Sequence, residues 1–287
     1  MTVRDYLYLS WLSYLNLPEL YRSLLERGGS VPVAAFADSV LRMDAAGVLK
    51  CVELNDAARD AAGYMKDSDC IITDYINRNA GDGFAAYVIK CGDETVVAMR
   101  GSESRGECVP SNVDWVDNFC EPFAGPAQIG AIEELLSSLP AGPVTFTGHS
   151  KGGHNALLAL AASDGEEKRA VAFNGQGFSA EALTPAMEER LMKYGVNYVV
   201  AADVIGAVLK HPERRMYVKQ APGTQAHMPE AYTFTDSGAP VRDMRAPRSL
   251  AAEAVTRLAD GALGGWLRSG LSGLCRAVMG RHAGVYK

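Results

Sequence analysis

The chain has 287 residues, of which 48% are hydrophobic and 22% are charged, so it can bury a sizeable core in one large domain or two small ones. Its formal net charge of −6 and its pI of about 5.5 argue against a dedicated nucleic-acid-binding protein, which would carry a basic surface. The N-terminus lacks the basic start and unbroken apolar run of a signal peptide, so we expect none. We also expect no membrane-spanning helix, because no run of about 18 apolar residues occurs.

The cysteines are scattered along the chain and form no C-x-x-C pair, and no group of His and Cys has the spacing of a zinc site. They are Cys51, Cys70, Cys91, Cys108, Cys120 and Cys275. We therefore predict free thiols in a reducing cytoplasm, with one or two disulfides as the alternative.

The N-terminal third is mainly helical in pattern. Apolar residues recur at three- and four-residue steps over 1–27, with a break at Pro18 and an end at Gly28-Gly29. Residues 34–65 show further short helical patterns mixed with loops.

The pattern changes at residue 83, where two strands, 83–90 and 95–101, are predicted to form a hairpin. Beyond the hairpin, helical patterns alternate with apolar strand patterns. Helices are predicted at 128–139, 154–163 and 185–195, and strands at 142–148, 168–175, 196–203 and 214–222. This alternation predicts an α/β fold with a mostly parallel central sheet flanked by helices. We place this domain at 1–245, followed by a helical tail at 246–287.

The stretch Gly148-His149-Ser150-Lys151-Gly152 joins an apolar strand to an alanine- and leucine-rich helix. A serine at such a junction is typical of a nucleophile elbow, where a tight turn exposes its hydroxyl group. Gly148 and Gly152 would prevent a clash across the turn. The alternative is a glycine-rich loop that binds a phosphate at the helix N-terminus.

Acyl transfer also needs hydrogen-bond donors for the oxyanion. The backbone N–H of Lys151, at the start of the helix, is one candidate, and we expect its ammonium group to face solvent. The strand that ends in Arg100-Gly101-Ser102 supplies a second candidate, the Ser102 N–H with its hydroxyl, unless this is merely the start of a loop.

A serine nucleophile needs a base and an acid that orients the base. Asp203 ends a predicted strand, so it would emerge at the same sheet edge as Ser150, and His227 follows in a later loop. The alternatives are a helix N-cap at Asp203 and a surface loop residue at His227.

The other histidines fit the role of base less well. His149 would diverge from its neighbour Ser150, and His154 would line the site or cap the first helical turn. A predicted helix after Asp203 would carry His211 away from the sheet edge, and His282 lies in the tail.

The elbow TFTGHSKGGHN, the strand end M-R-G-S and the D-W pair at 114–115 resemble the class 3 lipase group of α/β-hydrolases, closest to a bacterial lipase-like family. The resemblance covers roughly residues 5–235. It implies an α/β-hydrolase fold, a triad of Ser150, Asp203 and His227, and an oxyanion role for the Ser102 hydroxyl. Lys151 departs from the apolar residue common after the lipase serine, which argues against a long-chain triglyceride substrate.

The resemblance also implies a lid between the oxyanion strand and the elbow. The segment 102–128 is the candidate, with Trp115, Phe119 and Phe123 able to cover an acyl pocket. The alternative is that these aromatic side chains form an edge of the packed core.

The tail between Ser249 and Met279 has apolar residues near helical spacing and arginines elsewhere, interrupted by glycines. Three roles stay open for this amphipathic helix: peripheral membrane contact, a homo-oligomer or other subunit contact, and packing on the parent domain.

Together these patterns predict a serine hydrolase of small-molecule or lipid esters that needs no metal or cofactor and binds no nucleic acid. The alternatives are a non-catalytic binding or scaffold protein of the same fold, and a thioesterase or peptidase with the same triad.

Overall fold

The computed structural model describes residues 1–46, 55–78, 81–102, 128–179 and 182–244, which form eight strands and seven α-helices. The strands are β1 Val31–Pro32, β2 Ile71–Asn77, β3 Ala85–Cys91, β4 Glu94–Met99, β5 Val144–His149, β6 Lys168–Phe173, β7 Gly195–Val200 and β8 Arg214–Val218. The helices are α1 Val3–Leu12, α2 Glu19–Glu26, α3 Val33–Ala45, α4 Asn55–Met65, α5 Ile129–Ser138, α6 Lys151–Ala162 and α7 Pro185–Tyr194. The predicted tail and lid aromatics lie outside the described residues.

All eight strands form one sheet in chain order. Strands β1 to β4 pair antiparallel, and β4 to β8 pair parallel. The predicted α/β fold with a mostly parallel sheet is therefore confirmed. Because the parallel strands advance in one direction and such crossovers are right-handed, their connecting helices α5, α6 and α7 share one face of the sheet.

The two faces of the sheet bury separate cores, as the two-residue period of a strand requires. On β4, Val97 and Met99 pack in the core with α5, α6 and α7. Val96 and Ala98 point the other way, into the core with α1, α3 and α4. The N-terminal helices thus cover the face that the crossover helices leave open, and both cores hold the C-terminal ends of the parallel strands in place.

The predicted elements agree with the structure best in its second half. In the first half, the helical pattern with a break at Pro18 corresponds to α1 and α2, but 34–65 contains two regular helices, α3 and α4, and β1 and β2 were not predicted. The predicted helix after Asp203 is wrong, because that segment contains only a 3₁₀ turn, Ile205–Ala207.

A disulfide joins Cys70 to Cys91, with their Cα atoms 4.5 Å apart. Since Ile71 pairs with Lys90 across β2 and β3, these cysteines lie opposite each other at the next position. The prediction of free thiols is therefore wrong for this pair. The remaining four cysteines lie outside the described residues.

None of the helices within the described ranges is both long enough and apolar enough to cross a bilayer.

Candidate active site

Ser150 is the single residue between β5 and α6, and its backbone is strained, with φ 57° and ψ −125°. The turn leaves no room for side chains on its flanks. A Cβ atom at Gly148 would lie 2.2 Å from the carbonyl oxygen of Gly152, and one at Gly152 would lie 2.2 Å from that of Met99. The strand–serine–helix junction therefore has the geometry of an elbow that projects the serine hydroxyl from the sheet edge.

A chain of hydrogen bonds links Ser150 to a carboxylate through an imidazole. His227 Nε2 lies 3.0 Å from Ser150 Oγ, and His227 Nδ1 lies 2.8 Å from Asp203 Oδ1. A carboxylate can only accept, so Nδ1 carries the hydrogen and Nε2 accepts the hydrogen of the serine hydroxyl. The second Asp203 oxygen accepts the Gly206 N–H at 2.7 Å, which fixes the carboxylate from its other side.

The acid and the imidazole reach this point from different parts of the chain. Asp203 follows the end of β7, where its N–H donates to the carbonyl of Val200 at 2.8 Å. His227 lies in the loop after β8, which is closed by a bond from Ala221 N–H to the carbonyl of Ala231 at 2.9 Å. The Asp203 side chain is 3% exposed, whereas that of His227 is 34% exposed, so a solvent-borne molecule can reach the imidazole.

His149 lies beside this chain of bonds and contacts the loop that carries His227. Its Nε2 is 2.6 Å from the His227 carbonyl oxygen, and its Nδ1 is 3.3 Å from the Tyr14 hydroxyl. A carbonyl accepts, so Nε2 carries the hydrogen and Nδ1 accepts from Tyr14. Burial, together with the neighbouring His227, holds the pKa of His149 well below 6.5, so this ring is neutral.

Asn174 follows β6 with a φ of 48°, in the left-handed region that asparagine tolerates better than most residues. Its side-chain oxygen accepts the N–H of Val200 at 2.9 Å, and its Nδ2 donates to the carbonyl of Ala226 at 3.1 Å. The N–H partner of the oxygen fixes which way the amide points.

The two predicted oxyanion donors lie at neighbouring strand and helix ends. A Cβ atom at Gly152 would lie 2.9 Å from the Gly101 nitrogen, so the end of β4 adjoins the first turn of α6. Ser102 follows at this edge and is partly exposed, and Lys151 is the first residue of α6.

The expectation that the Lys151 ammonium group faces solvent is wrong. Lys151 is 2% exposed, and the residues of α6 are buried from Lys151 to Ala161.

Two other histidines, His154 and His211, contact backbone carbonyls and neighbouring side chains outside the proposed triad. His154 is buried, with Nδ1 3.2 Å from the Gly177 carbonyl and its ring against Phe178 at 4.6 Å between centroids. His211 contacts Glu213 at 2.7 Å through Nδ1 and the Val208 carbonyl at 3.0 Å through Nε2. The helix that was expected to carry it away from the sheet edge is absent. His282 lies outside the described residues.

From the sequence, His149 is expected only as a poorly fitting base, and Asn174 has no expected role. A signal for Asn174 was present, since an Asn-Gly pair directly after an apolar strand favours a left-handed backbone. No pattern in the sequence indicates that either side chain meets the loop of His227.

Within the described ranges, no group of three or more His, Cys, Asp or Glu side chains could hold a metal ion.

Residues 68–247 match the Mbeg1-like family, which is well over half of the chain. The chain belongs to the Mbeg1-like family. No curated protein matches it in a sequence comparison. With its mostly parallel sheet, flanking helices and serine elbow after β5, this member of the family has an α/β-hydrolase fold.

Among solved structures, the chain is similar to a mono- and diacylglycerol lipase from Aspergillus oryzae, at 12% identity and a TM-score of 0.48 over 91% of this chain and 92% of that one. It is also similar to an N225Q mutant of MDLA from Penicillium cyclopium, at 11% identity and a TM-score of 0.42 over 85% and 86% of the two chains. A Rhizomucor miehei lipase in complex with its propeptide matches at 13% identity and a TM-score of 0.34 over 70% and 68%.

Proposed function

We propose that the protein is a serine hydrolase that cleaves carboxylic esters through an acyl-enzyme, with Ser150, His227 and Asp203 as its triad. The single observation that carries this proposal is the unbroken hydrogen-bond chain from the Ser150 hydroxyl through the imidazole to the buried Asp203 carboxylate. Base and nucleophile lie within the reach that proton transfer requires.

In the first half of the reaction, Ser150 Oγ attacks the ester carbonyl carbon while His227 Nε2 takes the hydroxyl proton. The carbonyl oxygen becomes an oxyanion, for which the N–H groups of Lys151 and Ser102 are the proposed donors. As the intermediate collapses, the bond from carbon to the alcohol oxygen breaks and His227 gives its proton to the leaving alcohol. Asp203 stabilises the imidazolium and keeps the hydrogen on Nδ1 throughout.

In the second half, water replaces the alcohol. His227 takes a proton from the water, the hydroxide attacks the acyl carbon, and the bond to Ser150 Oγ breaks as the serine regains its proton from His227. The products are a carboxylic acid and the free enzyme.

The experiment is a series of p-nitrophenyl esters from acetate to palmitate, followed by the release of p-nitrophenol. We expect saturable turnover that falls by at least about 10⁴-fold in Ser150→Ala. Ser163→Ala is the matched control, because Ser163 ends the same helix with a hydroxyl bonded to the Leu160 carbonyl. Wild-type protein that hydrolyses no ester of the series, or a Ser150→Ala variant as active as wild type, would refute the proposal.

The chain length that gives the highest kcat/KM identifies the substrate class, and we expect a short or medium acyl chain because Lys151 departs from the lipase pattern. Esters and thioesters of that same acyl group then separate an esterase from a thioesterase. If the protein is instead a non-catalytic scaffold, we expect it to bind such ligands without hydrolysing them.

The cytoplasmic location stays a prediction. The Cys70–Cys91 disulfide weighs against it, because disulfides persist mainly in oxidising compartments. Trapping of free thiols in intact cells, followed by mass spectrometry of the two cysteines, would decide between the compartments.

A further inference from the structure

Two consecutive carbonyl groups in the loop of His227 are each held by a side chain at the end of a parallel strand. His149, the last residue of β5, donates to the His227 carbonyl at 2.6 Å. Asn174, directly after β6, donates to the Ala226 carbonyl at 3.1 Å. Both donors are buried, and neither touches Ser150 Oγ or the Asp203 carboxylate through a hydrogen bond.

Each donor is itself held in a single orientation. The His149 ring packs against the Trp11 ring at 4.8 Å between centroids, and its far nitrogen meets Tyr14. Asn174 bridges to β7, because its side-chain oxygen accepts from Val200 N–H while its own backbone N–H donates to the Tyr198 carbonyl at 3.0 Å.

We infer that His149 and Asn174 are positioning residues, which fix the loop backbone at Ala226 and His227 so that the imidazole stays within reach of both Ser150 and Asp203. The inference rests on the proposed function, since it assigns a role to these residues in the same reaction.

The need for such anchors follows from where His227 lies. It belongs to an irregular loop and is partly exposed, so neither a helix nor a strand fixes its backbone. The imidazole must nevertheless keep two hydrogen bonds at once, and a displacement of about 1 Å of a reacting group can cost about 10²-fold in rate. Two hydrogen bonds to neighbouring carbonyls restrict both translation and rotation of this backbone segment.

A neutral donor suits this position. The rings of His149 and His227 are 4.8 Å apart, and His227 becomes positively charged during the proposed reaction. A positively charged side chain at position 149 would repel the His227 imidazolium. The buried, neutral imidazole of His149 supplies a hydrogen bond without this repulsion.

The test compares substitutions that keep or remove each donor. His149→Gln can still present an N–H near the position of Nε2, whereas His149→Leu cannot. Asn174→Gly tolerates the φ of 48° but loses the amide. Thr147→Val is the matched control, because Thr147 lies two residues before His149 on the same face of β5 and donates to the buried Val171 carbonyl at 2.8 Å.

We expect His149→Leu and Asn174→Gly each to lower kcat for ester hydrolysis by about 10²-fold while changing KM much less. His149→Gln should recover most of the loss, and Thr147→Val should keep wild-type kcat despite losing a buried hydrogen bond. The double variant should lose less than the product of the single effects, because both anchors hold one backbone segment.

A second readout does not depend on turnover. The proton on His227 Nδ1, bonded to Asp203, should give a slowly exchanging downfield NMR signal in the wild type and in Thr147→Val, and should exchange faster in His149→Leu and Asn174→Gly. If the wild type hydrolyses no ester but the signal behaves in this way, the proposed function fails and the positioning role stands. If the folded variants keep both kcat and the signal, the positioning role is wrong. Should His149→Leu not fold, Asn174→Gly and His149→Gln still decide the outcome.

Discussion

The two ends of strands β5 and β6 carry polar networks of opposite character. At the N-terminal end, Arg169 forms an ion pair with Glu94 at 2.8 Å and donates to the Tyr6 hydroxyl at 2.7 Å and to Thr145 Oγ1 at 2.8 Å. At the C-terminal end, β5 is followed by Ser150 and β6 by Asn174, both with a positive φ. The neutral, buried imidazole of His149 lies beside them.

The N-terminal network satisfies its own charges. Burial and the neighbouring Glu94 raise the pKa of Tyr6 to about 12, so its hydroxyl stays protonated and donates to that carboxylate. Burial opposes ionisation of Glu94, but hydrogen bonds from Thr145 and Tyr6 and the charge of Arg169 lower its pKa overall. Nothing in this arrangement requires an unusual backbone.

The C-terminal network instead ends at a serine hydroxyl and an imidazole that solvent can reach. Its backbone strain costs stability, of order 1–3 kcal/mol for each such residue, and the surrounding contacts must hold it. One set of strands thus has stabilising polar contacts at one end and a site that can do chemistry at the other.

The largest effect is expected from Asp203→Asn. An amide N–H facing His227 would force Nδ1 to accept, which puts the hydrogen on Nε2 and prevents it from taking the serine proton; kcat/KM for ester hydrolysis should fall by about 10³–10⁴-fold. Glu94→Gln makes the same chemical change at the other end of the strands. It should leave kcat/KM unchanged and lower the free energy of unfolding by about 1–2 kcal/mol, measured in urea. Equal losses of activity in the two variants would remove the distinction between the ends.

A steric test at the elbow comes next. Gly148→Ala should lower the free energy of unfolding by about 3 kcal/mol or more, because its methyl group would meet the Gly152 backbone, which has little freedom to move. Gly130→Ala is the control: its Cβ points into open space on α5, and it should stabilise the protein by about 0.5–1 kcal/mol. Denaturant unfolding of both variants measures the contrast, and a Gly148→Ala protein as stable as the wild type would contradict the packing of the elbow.

Reduction of the Cys70–Cys91 disulfide should act on stability alone. The bond lies at the edge that also holds Glu94, since Cys91 pairs with Glu94 across β3 and β4. Its loss should lower the free energy of unfolding by about 2–4 kcal/mol. Unfolding with and without reductant gives this number, and ester hydrolysis at 25 °C should not change. If ester hydrolysis fell on reduction while the protein stayed folded, the disulfide end of the sheet would be coupled to the end that holds Ser150.

The smallest effect concerns pH. Burial holds the pKa of His149 well below 6.5 in the folded protein, so below that pH the unfolded chain takes up a proton that the folded protein refuses. The contribution of His149 to the free energy of unfolding is therefore fully present above pH 6.5. It is lost as the pH falls below that value, by up to about 1.4 kcal/mol per pH unit. His149→Gln should therefore lose less stability than the wild type between pH 7.5 and pH 5. An equal or steeper decline in the variant would mean that His149 takes up its proton in the folded state.

The sequence was informative where one physical rule decides the structure. Short apolar runs that alternate with helical patterns predict the parallel strands, and the order of Ser150, Asp203 and His227 predicts all three at the C-terminal edge of such a sheet. In contrast, β2 alternates poorly because Thr73, Asp74 and Asn77 lie on it, so the pairing that brings Cys70 opposite Cys91 could not be predicted. Tertiary packing decides that case.

The burial of single polar side chains was the second feature that could not be predicted from the sequence. Lys151 reads as a surface residue in the sequence, yet α6 is enclosed on several sides. His149 and Asn174 donate to carbonyl groups in a loop far along the chain, and only the assembled sheet shows which backbone groups they reach.

The most direct test of the proposed chemistry is labelling with a fluorophosphonate probe at neutral pH, with the adduct located by mass spectrometry of the digested protein. We expect one stoichiometric adduct on Ser150, absent from Ser150→Ala and formed far more slowly in Asp203→Asn. Folded wild-type protein that forms no adduct, or forms it on another residue, would contradict the claim that Ser150 is an activated nucleophile.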